Sequence, residues 1–199
     1  MALIRWRKQE LRDRFYEPRF RGMYDRFSDV IHDYVRAGDT MLDAGCGSGR
    51  VFQYAFDETQ KPRLIVGVDM TDEPRGNGNI DAAARADLGR LPFRDGVFDI
   101  AISSHVAEHL TEPDLVFREL ARVLKPGGRL LIVDMLPHDR EEYKQQMGHV
   151  WLGFGADQIA RLMESAGFEG IRVHALPAAP AAKGPALFAA TARRRDSNS

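Results

Sequence analysis

Asp43, Gly45, Gly47 and Gly49 alternate along Leu42-Asp43-Ala44-Gly45-Cys46-Gly47-Ser48-Gly49-Arg50. That spacing sets a carboxylate beside bare backbone. Glycine at alternate positions lets the chain bend sharply and approach a ligand with no Cβ in the way. The apolar pair Met41-Leu42 precedes the stretch, and the mostly apolar run Val51-Phe52-Gln53-Tyr54-Ala55-Phe56 follows it. The order is therefore strand, tight turn, helix. A helix entered this way offers free N–H groups and its positive dipole end to a carboxylate or phosphate in the turn. Capture of a nucleotide-like cofactor is the chemistry to expect.

Spacing narrows the choice of cofactor. A dinucleotide fingerprint requires G-x-G-x-x-G, whereas here the pattern is G-x-G-x-G and Arg50 stands where the third glycine belongs. A phosphate-binding loop is excluded because no Gly-Lys-Ser/Thr ending follows. Downstream, Arg63-Leu64-Ile65-Val66-Gly67-Val68-Asp69 reads as a buried strand ending in an acid. Asp69 lies where a ribose-binding carboxylate is expected after a glycine turn and helix. Ala86-Asp87-Leu88-Gly89, then Val97-Phe98-Asp99-Ile100-Ala101-Ile102-Ser103-Ser104-His105, then Leu124-Lys125-Pro126-Gly127-Gly128 with the run Arg129 to Val133, complete an ordered series. Over about residues 38 to 176 this series resembles the class I S-adenosylmethionine-dependent methyltransferases, of the methyltransferase type 11-like kind.

The resemblance implies a Rossmann-like α/β fold. Its sheet would be mostly parallel and seven-stranded, with helices on both faces and a C-terminal antiparallel hairpin. S-adenosylmethionine would be the methyl donor and S-adenosylhomocysteine the product. Asp43, Gly45, Cys46, Gly47 and Gly49 would hold the amino acid end, with Cys46 giving backbone contact only. Asp69 and Met70 would take the ribose side, Asp87 and Leu88 the adenine, and Ser103 and Ser104 would border the cofactor after the fourth strand. His105 is the first candidate for touching the acceptor or the cofactor backbone, with a structural role as an equal reading. A packing role is expected for Glu108-His109; convergence of Glu108, His109 and other histidines could make a metal site, but the spacing matches no zinc pattern, so no metal is expected.

The segment from Met135 to Phe154 falls where such enzymes build an acceptor pocket. His138, Tyr143 and His149 are its candidate catalytic residues, a histidine there being able to act as general base near neutral pH. Docking of Trp151 and Phe154 on the core is an equal reading of the same motif. The segment is similar to methyltransferase domains fused to arsenic-repressor-type regulators, for whose winged-helix part 199 residues leave no room. Arsenite as acceptor is disfavoured, because Cys46 is the one cysteine.

The elements that position these groups follow from periodicity and composition. Val116, Phe117, Leu120, Val123 and Leu124 form one helical stripe, with Thr111 as a possible cap and Pro113 in the first turn. Ile159, Leu162, Met163 and Ala166 form another, stopped by Gly167. Closing strands are expected at about 171 to 176 and 186 to 192. Only 17 residues separate Asp69 from Asp87, so a loop or single turn should replace a helix there. Residues 1–36 are expected to form a helical arm or lid, 37–192 the methyltransferase domain, and 193–199 a disordered tail. With 44% hydrophobic and 29% charged residues and a net charge of −1, a soluble domain without a membrane or wholesale nucleic-acid partner is expected. A single cysteine and no signal-like N-terminus suit the cytoplasm. The function expected is methyl transfer to a small-molecule acceptor. The basic stretch 5–26, with eight Arg/Lys against four Asp/Glu, leaves an RNA or protein methyltransferase as an alternative. A catalytically silent cofactor-binding regulator is another.

Overall fold

The computed structural model describes residues 30, 31, 34–47, 49, 56, 61–71, 80–177 and 184–196. Seven strands run in chain order as β1 (Thr40–Ala44), β2 (Leu64–Asp69), β3 (Ala82–Arg85), β4 (Phe98–Ser104), β5 (Leu124–Met135), β6 (Phe168–Ala175) and β7 (Leu187–Arg194). They form one sheet in the order β3-β2-β1-β4-β5-β7-β6. β1 to β5 pair in parallel, and β7 lies antiparallel to both β5 and β6. The expected mixed sheet with a closing hairpin is thus present. Its strand order reverses between β1 and β4, and ligands of open α/β sheets bind at the carboxyl ends of the strands at such a point.

Strands buried on both faces read as nearly unbroken apolar runs, and β1 is buried at all five positions. Alternation then sorts its neighbours between two cores. Leu42, Val66, Val68, Leu130 and Ile132 join the core shared with α1 (Pro113–Val123) and α3 (Ala156–Ser165). Met41, Ile65, Leu131 and Val133 join the opposite core, which also takes Ile31, Val35 and Leu176. The register shift between Phe98 and Ile100 breaks the period of two, which puts Phe98 in the first core and Ile100 in the second.

α1 begins after Glu112, not after a Thr111 cap. No side-chain cap bond is made, and Pro113 occupies the first turn, where its missing N–H removes one donor that would need a partner. Arg122 ties this helix to the approach to β4. Its guanidinium pairs bidentately with Glu119 at 2.7 and 2.8 Å and donates to the carbonyl oxygens of Phe93 and Leu91. A second anchor holds the N-terminal segment. Arg129 Nη2 donates to both oxygens of buried Asp39 at 2.6 Å, while its Nη1 donates to the Tyr34 carbonyl.

Two boundaries differ from the sequence expectation. β7 runs through Arg193 and Arg194, because Arg194 donates to the carbonyls of Arg122 and Leu124; those two residues belong to the sheet and not to a tail. Ile31 and Val35 are buried in the second core, so this end of the expected arm packs on the sheet. The remainder of the arm, the segment 72–79 and residues 197–199 lie outside the described residues. No described helix is long and apolar enough to cross a membrane.

Candidate functional site

β1 delivers Asp43 to the reversal point, and the chain then turns on three glycines in the left-handed region, Gly45 (φ 82°), Gly47 (φ 50°) and Gly49 (φ 68°). Gly45 and Cys46 both donate to the Val68 carbonyl, which fastens the turn to the end of β2. A Cβ at Gly45 would stand 2.3 Å from Val106 Cγ2. The glycine turn therefore lies directly against the segment that leaves β4. Packing of the Cys46 thiol against Gly67 explains a second glycine, since a Cβ there would be 2.8 Å from Sγ.

Three acids lie at or just past the ends of β1, β2 and β3. Asp43 is 3% exposed, and its Oδ2 has no hydrogen-bond partner. Burial, then the charge of Asp69, pushes its carboxyl well above the usual carboxylate range. A cationic group placed here would relieve both effects. Asp69 accepts from Gly47 N at 2.8 Å with one oxygen and from the N–H and hydroxyl of Thr71 with the other. Asp87 is exposed and accepts from Gly89 N at 2.8 Å, which fixes the turn after β3 with Leu88 buried beneath it. Met70 stands 62% exposed next to Asp69. Burial, Asp43 and Asp69 raise the Cys46 thiol far above its ordinary value. It stays protonated and is no nucleophile.

Ser103 and Ser104 are the last two residues of β4 and not part of the turn after it; Ser103 is buried and Ser104 half-buried. His105 then adopts φ 54°, a conformation that non-glycine residues rarely hold. Its N–H donates to Val133 and its Nε2 is buried without a partner. A 3-10 turn, Ala107–His109, follows. Glu108 (1% exposed) lies 3.6 Å from His105 Nδ1 and is hydrogen-bonded to fully buried Asp134. Burial raises both acids, and the charge of Glu108 adds to the rise at Asp134. Two acids this close and this buried disfavour being charged together. Asp134 also accepts from Ala107 N and Met135 N. It escaped the sequence reading, although an acid inside the apolar run Leu130 to Met135 is a usable signal.

The segment after β5 brings the other candidates together. α2 (Glu142–Met147) ends on Gly148 at φ 73°, which turns the chain so that His149 is buried against Tyr143 with ring centroids 5.4 Å apart. His138 packs on the same tyrosine at 5.3 Å, and His109 packs on His149 at 4.8 Å. Burial, then the neighbouring His109, lowers His149 to about 4, and burial lowers His105, His109 and His138. His149 is therefore an uncharged imidazole at neutral pH. Trp151 donates from Nε1 to the Leu110 carbonyl, and Phe154 is fully buried; docking the segment is their role. Glu108, His109 and His149 bring ligand atoms within 4.8 Å of one another. The chain brings His149 from a distant loop, which sequence spacing does not reveal.

Residues 42–132 match the family described as "Methyltransferase domain". Over that stretch the chain is similar to methyltransferase domains. The family's cofactor is S-adenosylmethionine, and the strand-end acids and glycine turn described above fall inside the matched stretch or, for Asp134, two residues past it. Among curated relatives, arsenite methyltransferase of Halobacterium salinarum is 29% identical over 68% of this chain and 39% of its own length. The 27-O-demethylrifamycin SV methyltransferase of Amycolatopsis mediterranei is 32% identical over 56% of this chain and 43% of its own. The chain thus spans about two fifths of the length of these two relatives. The crystal structure of an S-adenosylmethionine-dependent methyltransferase from Mesorhizobium loti aligns with a TM-score of 0.67 at 20% identity. That alignment covers 83% of this chain and 96% of the other, which establishes a shared fold.

Proposed function

We propose that this chain transfers the methyl group of S-adenosylmethionine to a small-molecule acceptor. The observation that carries this reading is the buried Asp43 carboxylate at the glycine turn, whose Oδ2 has no hydrogen-bond partner. An acid in that environment needs a proton or a cation, and the cofactor offers an ammonium and a sulfonium together. In this reading the turn from Gly45 to Gly49 cradles the amino acid end, and Asp69 accepts from the ribose hydroxyls. Asp87 and Leu88 meet the adenine, Met70 covers it, and Ser103 and Ser104 border it. The exposed side of Asp69 and the exposure of Asp87 and Met70 support these assignments.

When bound, S-adenosylmethionine supplies a methyl already activated by positive charge and displaced in line. The protein's part is chiefly to hold the acceptor near and aligned, which can be worth about 7–11 kcal/mol. His105, His138, Tyr143 and His149 are assigned to the acceptor side, where an uncharged imidazole can accept a proton at its open nitrogen. A small molecule is favoured by a relative named for a rifamycin substrate. With one cysteine in the sequence, arsenite is not the acceptor proposed. The N-terminal arm is assigned as a lid. Calorimetric titration with S-adenosylhomocysteine tests the reading, and micromolar binding is expected. No heat and no thermal shift with either cofactor form would refute it. Retention on RNA that falls with salt would move the acceptor class to nucleic acid.

A further inference from the structure

We infer that Glu108, His109 and His149 form a binding site for a divalent transition-metal cation, with the remaining coordination positions open to an oxygen-donor ligand. Two imidazoles and one carboxylate are a donor set that zinc takes in sites keeping an open position. Imidazole donors favour first-row transition ions over magnesium or calcium.

Four observations support the site independently of that composition. Glu108 Oε2 and His149 Nδ1 are buried and have no hydrogen-bond partner. Each such atom costs stability unless something meets it. His109 Nδ1 lies 3.3 Å from the Gly148 carbonyl; donating there leaves the Nε2 lone pair free, the arrangement that orients metal-bound histidines. Glu108 is hydrogen-bonded to Asp134, a carboxyl partner of the kind that steadies a ligating carboxylate. Finally, Val150 N and Trp151 N both donate to the Glu108 carbonyl at 2.7 and 3.1 Å, which bolts the loop carrying His149 to the turn carrying the other two ligands.

The ligand atoms lie within 4.8 Å of one another, whereas tetrahedral zinc with bonds of about 2.0–2.1 Å needs edges of about 3.4 Å. Side-chain adjustment on binding must supply the difference, and exposed His109 has more freedom for it than buried Glu108 and His149. The turn that bears Glu108 follows Val106, whose side chain packs on Gly45. The cation would therefore sit close to the glycine turn. A bound acceptor hydroxyl would lose its proton to solvent more readily there; this last role rests on the cofactor reading proposed above, while the metal site does not.

The test uses the full chain, stripped with a chelator and titrated with Co²⁺ by visible absorption, then with Zn²⁺ as competitor. One equivalent of Co²⁺ should bind with a ligand-field spectrum that Zn²⁺ abolishes. His109→Ala and His149→Ala should each weaken it by about tenfold or more, while His174→Ala, on exposed β6, should not. Titration of every variant with S-adenosylhomocysteine reports folding and the cofactor site separately. Cobalt binding without S-adenosylhomocysteine binding would sink the proposed function and leave the metal site standing. No spectrum, or one unmoved by His109→Ala and His149→Ala, or one lost equally with His174→Ala, overturns the site.

Discussion

Replacing Gly45 by alanine should impose two separable costs, and a double mutant can divide them. The first is conformational. Gly45 holds φ 82°, and an L-residue in that region costs about 1–2 kcal/mol. The second is steric. The new Cβ would stand 2.3 Å from Val106 Cγ2 and 3.1 Å from Cγ1, and overpacking of this kind costs about 1–3 kcal/mol. Gly45→Ala alone should therefore destabilise the chain by about 2–5 kcal/mol. Val106 is half-buried, so Val106→Ala should cost about 1 kcal/mol from lost apolar burial. In the double mutant both offending methyl groups are gone, and of the Gly45→Ala penalty the conformational part remains, with a milder contact to Val106 Cβ at 3.3 Å. The pair should then lie about 1–3 kcal/mol above the stability that simple addition gives. Urea unfolding of the four proteins measures this directly. Additivity within about 0.5 kcal/mol would refute the claim that the glycine turn and the segment after β4 are in contact.

Other expectations follow from the same geometry. Asp69→Ala should weaken S-adenosylhomocysteine binding by about 1–3 kcal/mol, Asp69→Asn by less, and Thr71→Val hardly at all; equal affinities by calorimetry would show that the ribose lies elsewhere. Arg129→Met strands Asp39 as a buried unpaired acid and should cost about 3–5 kcal/mol, visible as a lower urea midpoint, whereas a midpoint unchanged from the parent would show that the anchor carries no stability. Arg122 holds Glu119 below its usual carboxylate range, so this pair stabilises the fold above the unfolded value of about 4.3. That contribution is lost as pH falls through the lower folded value. Glu119→Gln should accordingly be less stable than the parent at neutral pH and converge with it in strong acid; a constant gap would contradict the assignment.

Much of the framework was readable from residue type because parallel strands end in punctuation. Asp43, Asp69 and Ser104 close apolar runs, and each falls at the carboxyl edge of its strand. Legibility failed where contacts are made over long sequence distances. Nothing near Arg193 or Arg194 signals a strand, since Arg194 is held by carbonyls of α1 and β5 some seventy positions earlier. Thr111 resembles a cap, yet proline at the next helical position leaves it little to satisfy. Sequence spacing leaves open whether the pair Glu108-His109 and the histidines after β5 converge. The two hydrogen bonds to the Glu108 carbonyl unite them, and no periodicity encodes backbone bonds of that kind. Asp134 was overlooked because its neighbours announce a core strand. Burial of an acid there makes sense only once Glu108 is seen beside it.

β7 also dictates an order of events during synthesis. It occupies the place between β5 and β6, so β6 emerges from the ribosome with no neighbour to pair with, while one flank of β5 stays bare. Until residues 187–194 arrive, a nascent chain presents two unpaired rims able to recruit another polypeptide. Chaperone capture or premature stop codons in this window would therefore decide yield more strongly than any alteration around the glycines.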